Sequence, residues 1–457
     1  MGRFYDVCIV GGGAVGASVA YHLGRRASAA ALPPLSVCVI ERDPTLAACS
    51  SSLSVGGLRY QFSNAANVRM SQYGRQFLAK SEAHLGVDVA LTEAGYLFLA
   101  GTAEGAATLH ANHAVQSGEC GADVELLPPA EIRERFPWLG VDDIQLGAMS
   151  TSEGYFDPYL LTTALAKKAW ELGAARLVGE VTAVDMQAAG AGAGARRAEG
   201  VVVTAADGST ERIGCRTLVN ACGPWAGKLA ALCEADVPVR PRKRNVFQLH
   251  CPDARYAPSV MYPDCPLVVD PSGVYVRGDG RATNAAGDGG GAKFLCGSSP
   301  MAGVDEDPDE PELEVEHAWY VCETAWRRFL ACCRAFLAQS PAVLTWKWFV
   351  FIRFEEKIWE RLAERAPCFE NVKVVGAWAG YYDYCTFDQN GFIGYHSEVE
   401  NLLLACGFSG HGIQQAPAAG RGVSELLLDG EFTSLDLGCF GYERYVRGEQ
   451  LLEKNIV

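Results

Sequence analysis

No uninterrupted apolar stretch among the 457 residues is long enough to cross a bilayer as a helix. Basic residues are scarce, 39 lysines and arginines against 54 aspartates and glutamates, for a formal net charge of −15. Nucleic acid and anionic membrane both require a basic face, so neither is expected as a partner. Cysteine pairs at zinc-finger spacing are missing, and no metal is expected. The 17 cysteines are odd in number, and Cys8, Cys38, Cys215 and Cys406 fall inside apolar runs. Reduced core thiols in an intracellular compartment are therefore expected rather than a disulfide framework. The first apolar run is reached by residue 4, with no cleavable presequence before it. Any organelle address is then removed, internal or absent. At 49% apolar and 20% charged, the chain reads as soluble and globular, and long enough to form two or more domains.

The stretch Phe4 to Arg42 carries the densest signal. Tyr5 to Val10 is a short apolar run, a glycine turn follows, and Val15, Val19 and Leu23 then recur at helical spacing, which predicts strand, loop and helix. Gly11, Gly13 and Gly16 stand at G-x-G-x-x-G spacing, which serves a tight turn, close backbone approach to a pyrophosphate and close packing of helix on strand. The N–H groups at the helix start face the anion, with the helix dipole behind them. A second apolar run, Leu35 to Ile40, ends in Glu41, placed to accept hydrogen bonds from both hydroxyls of an unphosphorylated ribose. A plain structural turn is the competing reading of the glycines alone. Strand, helix and acidic residue together point to dinucleotide binding, with FAD and NAD both open at this stage.

Further along, the small residues Ser50, Ser51, Ser52, Gly56 and Gly57 allow backbone to lie close to a flat ligand, a flexible loop being the plainer reading. Arg59, just beyond them, is placed either to hold a substrate carboxylate or to be solvated. Residues 90 to 150 change character and predict a first crossing into a second domain. CRTLVNACGPWAG repeats the pattern of strand into glycine turn, which sets Cys222 and Gly223 beside the first turn if both strands share a sheet. The basic stretch VRPRKRNVFQLHC reads as a charged strand edge, with an anchor for an anionic substrate as the alternative. AAGAGAGARRAEG reads as a mobile hairpin tip, and NAAGDGGGAK and VDEDPDEPELEVEH as solvated loops. The strand Leu402 to Cys406 runs into GFSGHG and then an amphipathic helix, whose start aims partial positive charge at something anionic.

GGGAVG, VNACGPWAG and GFSGHGIQQAP, in that order, resemble the D-amino-acid-oxidase-like family of FAD enzymes, over nearly the whole chain. SVGGLRYQFS and GAWAGYYDYCTFDQNG are similar more narrowly to a mitochondrial branch of that family associated with assembly of respiratory complex I. The resemblance implies an α/β fold, a Rossmann-like FAD-binding domain with a second α+β substrate domain built on a mixed sheet. The first would comprise residues 1–90, 150–232 and 346–457, the second 91–149 and 233–345. Gly11, Gly13, Ala14, Val15 and Gly16 would then meet the pyrophosphate, and Glu41 and Arg42 the adenosine ribose. Ser51, Ser52, Gly56 and Gly57 would lie against the cofactor. Val181, Ala221, Cys222, Gly223 and Trp225 would line it. Gly380 would also contact the cofactor, and the loop Gly410, His411, Gly412, Ile413 and Gln414 would lie at the pyrimidine end of the flavin, where a helix start stabilises negative charge on the reduced ring.

The departures from the family pattern bear on function. Tyr381 stands where amine-oxidising members carry a cysteine joined to the flavin, so FAD is expected to bind non-covalently. Tyr382 matches the carboxylate-binding arginine of glycine oxidase, Gln414 the corresponding lysine of the sarcosine enzymes, and Leu295 the lysine thought to help oxygen react. Two readings follow. In one, the chain is an FAD-dependent dehydrogenase of a small molecule, with Tyr275, Arg277 and Arg59 contacting substrate, His411 polarising the flavin, and a quinone or another flavoprotein as electron acceptor. In the other it is a flavin-containing assembly factor for complex I.

Overall fold

The computed structural model describes residues 3–30, 35–188, 196–252, 265–279, 292–299, 354 and 358–454. The strand Arg3–Val10 ends at Gly11, whose φ of +101° suits glycine, and the helix Ala14–Ala30 begins three residues later. A Cβ on Gly11 would overlap the Ala221 carbonyl, and one on Gly16 would overlap the carbonyl of Gly11. These two glycines thus let the turn, the helix and the neighbouring strand close on one another.

Arg3–Val10 sits centrally in the first sheet, parallel to Val37–Glu41 on one side and Thr210–Asn220 on the other. The order is Phe392–Tyr395, Leu402–Cys406, Thr210–Asn220, Arg3–Val10, Val37–Glu41, Ala175–Val178, with the antiparallel pair Glu180–Ala188 and Arg196–Thr204 branching from Thr210–Asn220. Parallel strands buried on both faces call for continuous apolar runs, which these segments supply. The helices Ala14–Ala30, Pro158–Glu171 and Gly412–Leu428 cover one face around Val19, Leu161, Leu165, Ala418 and Val423. Leu218, Leu404 and Leu229 pack on the other. Val10 pairs with Asn220, and the Ala221 N–H donates to the Val10 carbonyl at 2.9 Å, so the two glycine turns lie side by side.

The second sheet runs Lys373–Cys385, Val239–Cys251, Ala292–Ser298, Val274–Gly278, Leu267–Val269, Tyr96–Ala100, Leu146–Ser150, Val124–Leu127. It is mixed, since Leu267–Val269 runs parallel to Tyr96–Ala100 and the other neighbours are antiparallel. One expectation changes here. Lys373–Cys385 lies in this sheet, paired from Val239↔Cys385 to His250↔Lys373, so the stretch 346–457 does not belong to one sheet, and the first sheet resumes only with Phe392–Tyr395. The basic half of Val239–Cys251, residues 239–245, pairs only with Lys373–Cys385, and Ala292–Ser298 joins on the other side from Val246 onwards, so the charged residues do lie on a strand edge among the described residues. Of the expected hairpin tip over residues 188–200, residues 189–195 lie outside the described residues, as do most of the glycine-rich tip and the acidic run, while residues 196–200 belong to the strand Arg196–Thr204.

Candidate FAD and substrate site

Between the sheets lies a cleft of about 2100 Å³, its open mouth included. Its dinucleotide end is built from the first glycine turn. Gly13 differs from its neighbours: an added Cβ would find nothing nearer than Ser51 Oγ at 3.6 Å. Packing within the chain therefore does not demand glycine there, and the open space fits the close approach of a pyrophosphate. Ser51 Oγ accepts from the Ala14 N–H at 3.2 Å, which brings the serine run to the same helix start. Glu41 Oε2 accepts from the Gly12 N–H at 2.7 Å and Oε1 from the Asp43 N–H at 2.9 Å. These bonds orient the carboxylate, and each oxygen keeps acceptor capacity for a ribose hydroxyl. Arg42 lies 5.0 Å over the Trp225 ring, closing the far wall beside Val181. The Cys222 thiol points back to the Val10 carbonyl at 3.4 Å, and burial pushes its pKa well up, so it stays a neutral thiol.

The opposite end is formed where the helix Gly412–Leu428 begins. Asp383 Oδ2 accepts from the Gly407 and Phe408 N–H groups at 2.8 and 3.0 Å, and its carbonyl accepts from the Ser409 N–H at 3.1 Å. Positive φ at Gly407, Ser409 and Gly410 turns this loop tightly into the helix. Burial lifts the Asp383 pKa to about 6 against the downward pull of those N–H groups. Arg59 is neither solvated nor open to a ligand on all sides. It is buried, its backbone N–H donates to Gln414 Oε1 at 2.8 Å, its Nη1 donates to the Gln61 carbonyl, and its Nη2 lies 2.7 Å from His411 Nε2. The guanidinium sits 4.2 Å over the Phe62 ring. A guanidinium only donates, so His411 Nε2 is the acceptor and the neutral ring carries its proton on Nδ1. Burial first, and the Arg59 charge second, hold the His411 pKa well below the usual histidine value.

Tyr275 faces this chamber opposite Gly297, whose missing side chain leaves room for the ring. Arg277 does not line the cleft: its Nε donates to the Val55 carbonyl at 2.9 Å, its Nη1 to the Gly278 carbonyl at 2.6 Å, and it lies 4.3 Å over the Tyr155 ring. Three residues expected at the cofactor also stand back. Gly16 serves helix packing, Gly56 abuts the Phe156 carbonyl at φ +69°, and the Ser52 hydroxyl meets Cys49 Sγ at 3.2 Å. Gly11, Gly57, Ala221, Gly223, Gly380, Gly412 and Ile413 do line the cleft. Sequence reasoning missed Tyr96 and Asp383, and it left Arg244 inside an undivided basic run. It also missed Glu153, fully buried behind Arg59. The Glu153 carboxylate accepts from the Tyr60 and Gln61 N–H groups and from Gln61 Nε2 at 2.8 Å, and burial pushes its pKa up to about 8. No spacing signal marks that glutamate.

A glycine-cradled dinucleotide site on a parallel sheet, opening onto a chamber under a mixed sheet, defines an FAD-dependent oxidoreductase fold. The chain belongs to the DAO family, described as FAD dependent oxidoreductase, which matches residues 6–426, and its cofactor is FAD. It is 37% identical to FAD-dependent oxidoreductase domain-containing protein 1 of Xenopus laevis, over 99% of this chain and 85% of that protein. It is 31% identical to the Drosophila melanogaster homolog, over 99% of this chain and 81% of that protein. Among solved structures it resembles L-proline dehydrogenase from P. horikoshii, with a TM-score of 0.73 at 24% identity, covering 98% of this chain and 100% of that one. Glycine oxidase from Geobacillus kaustophilus aligns with a TM-score of 0.68 at 22% identity, covering 96% and 98%. Among the described residues no helix is long and apolar enough to cross a membrane, no group of side chains is arranged to hold a metal ion, and the cysteines are free.

Proposed function

We propose that the protein is a dehydrogenase that takes a hydride from a C–H beside nitrogen or oxygen of a small molecule. The observation that supports it is the continuity of one cleft from Gly13 and Glu41 to a chamber walled by Tyr96, Tyr275, Tyr382 and His411. Bound FAD supplies the two-electron chemistry. The chain supplies the surroundings. Asp383 fixes the loop so that the N-terminus of Gly412–Leu428 directs its positive end into the chamber. Arg59 keeps His411 in one tautomer, and Tyr96, Tyr275 and Tyr382 line the chamber. Leu295, buried at the position where the family resemblance expects a lysine, supports a quinone or another flavoprotein as electron acceptor. We infer a mitochondrial location from the same narrow sequence resemblance. A second reading, in which flavin is structural in an assembly factor for complex I, draws on the Gln414 side-chain oxygen being taken up by the Arg59 backbone N–H inside the chain. Anaerobic mixing of the FAD-loaded protein with candidate amines separates the two: bleaching of the oxidised-flavin band supports the first, and an unreacted flavin supports the second.

A further inference from the structure

We propose that residues 449–454 form a strap that holds the Arg59–His411 pair in register, with Glu453 as the positioning residue that joins strap to chamber. The link from that pair to a bound flavin rests on the reading of the cleft given above. Glu453 is fully buried, while Glu449, Gln450, Leu452 and Lys454 around it are exposed, and neither helix nor strand runs through these residues. A buried carboxylate is costly unless donors surround it, so plain anchoring to the core would favour an apolar side chain. Here the donors are present. Glu453 Oε1 accepts from the Ser63 N–H at 2.8 Å and the Ser63 hydroxyl at 2.7 Å, and Oε2 from Asn64 Nδ2 at 3.1 Å and Asn67 Nδ2 at 2.9 Å. All of them stand at the start of the helix Ala65–Leu78, whose dipole favours an anion there. Asn64, in the capping position, makes no side-chain cap of its own; it is turned to the strap and donates also to the Leu452 carbonyl at 3.0 Å.

Two routes run from Glu453 to the chamber. Along the chain, Ser63 follows Phe62, whose ring lies against the Arg59 guanidinium and meets the His411 ring edge-on at 4.9 Å. Across the fold, Asn67 Oδ1 accepts from Gln415 Nε2 at 3.1 Å, and Gln415 adjoins Gln414, which takes the Arg59 backbone N–H. The helix Ala65–Leu78 presses on the same point, since a Cβ on Gly74 would overlap the Gln414 carbonyl. The strap is also tied to Asp388, whose carbonyl accepts from the Glu453 N–H at 3.1 Å and whose Oδ2 accepts from the Leu451 N–H at 3.1 Å. It thus gathers the three segments that carry Arg59, Asp383 and His411 to the chamber. With no ladder of its own, the strap can detach while both sheets stay folded. Detachment leaves the donors of Ser63, Asn64 and Asn67 without this acceptor close to Arg59. The state of the strap is therefore felt at the flavin.

The experiment follows amide hydrogen exchange by mass spectrometry in the full-length, FAD-loaded protein, well below its melting temperature, with the circular dichroism band of the flavin as a second readout. Glu453→Gln turns one acceptor into a donor that faces Asn64 and Asn67. Exchange over residues 58–64 and 409–415 is expected to speed up about tenfold or more and the flavin band to change, while exchange in Arg3–Val10 holds. Gln450→Ala removes only the bond from the strap to the Phe387 carbonyl and is expected to leave both chamber segments and the flavin band as they are. Chamber exchange unchanged in Glu453→Gln, raised only in step with Arg3–Val10, or raised equally by both variants overturns the proposal. If Glu453→Gln does not fold, Asn67→Ala cuts the route to Gln415 and decides: faster exchange over 409–415 against a steady Arg3–Val10 supports the proposal, and no change overturns it. A chain that takes up no FAD overturns the reading of the cleft alone, because the exchange comparison in the FAD-free protein still decides the strap.

Discussion

Arg59 Nη2 and His411 Nε2 meet at 2.7 Å, both side chains buried, one from the segment after the glycine pair and the other from the start of the last long helix. The pair fixes a neutral imidazole beside the chamber, because a second buried cation at that distance would be costly. Arg59→Met should raise the His411 pKa, though not to the ordinary histidine value, since burial is the larger cause. It should also destabilise the fold by about 2–4 kcal/mol, through buried acceptors left unsatisfied at Gln61 and His411. A pH titration of isotope-labelled histidines by NMR checks the first point. An unmoved His411 resonance would show that the arginine charge does not act on the ring.

The glycine turn separates cofactor binding from folding. Gly13→Ala should leave the fold intact and abolish FAD uptake, because the new Cβ enters space that the chain itself leaves open. Gly16→Val should fail earlier, costing more than about 4 kcal/mol, because its side chain would be driven into the Gly11 carbonyl. Flavin content and melting temperature measured together decide. Full flavin occupancy in Gly13→Ala would reduce the loop to a turn.

FAD should be released by acid precipitation, leaving the colour in the supernatant. Tyr381 has no thiol, and Cys385, the nearby alternative, is fully buried with Sγ 3.3 Å from Asp388 Oδ1. Colour retained in the pellet would require a covalent link and would direct attention to the cysteines that line the cleft, Cys49 and Cys222.

Glu153 gives stability an unusual slope with pH. Its folded pKa is about 8 against an ordinary value of 4.5. Between those values the folded chain holds a proton that the unfolded chain releases, so raising the pH through this window lowers stability. Melting temperature should therefore fall less between pH 5 and 8 in Glu153→Gln than in the unmodified protein. Parallel curves would mean that the carboxylate titrates normally.

The nucleotide half of this site was legible because its signals are local. Gly11, Gly13 and Glu41 act within one strand, turn and strand, and their spacing carries the chemistry. The substrate half depends on which way side chains turn in a sheet assembled from distant segments. Arg242, Lys243, Arg244 and Arg277 look alike in sequence, and only the register of Val239–Cys251 against Lys373–Cys385 brings Arg244 to the cleft, while Arg277 is drawn to the Val55 carbonyl. The same pairing sets the strand that carries GAWAGYYDYC in the mixed sheet rather than the nucleotide-binding one. Glu153 lay hidden for a related reason, since a single acid between short strands looks solvated until its partners at residues 60 and 61 are known.

Reduced flavin should react slowly with oxygen. Leu295 is buried in Ala292–Ser298, with Gln248 and Arg277 as its cross-strand neighbours, while Lys293 is exposed at the start of the strand. His411 is held neutral, so it does not supply the fixed positive charge that would stabilise the anion formed by the first electron transfer to oxygen. Mixing anaerobically reduced protein with aerated buffer, and separately with a quinone, tests this. Reoxidation by oxygen as fast as that of a true oxidase would refute it.

The central claim is that hydride passes from a substrate C–H to FAD in the chamber beside Arg59 and His411. The most direct measurement is a single anaerobic turnover in which FAD-loaded protein meets amines and amino acids protiated or deuterated at the carbon beside nitrogen. The account predicts bleaching of the oxidised-flavin band by at least one carboxylate-bearing amine, slowed several-fold by deuterium. A flavin that dithionite reduces readily but that no member of the panel bleaches would contradict it.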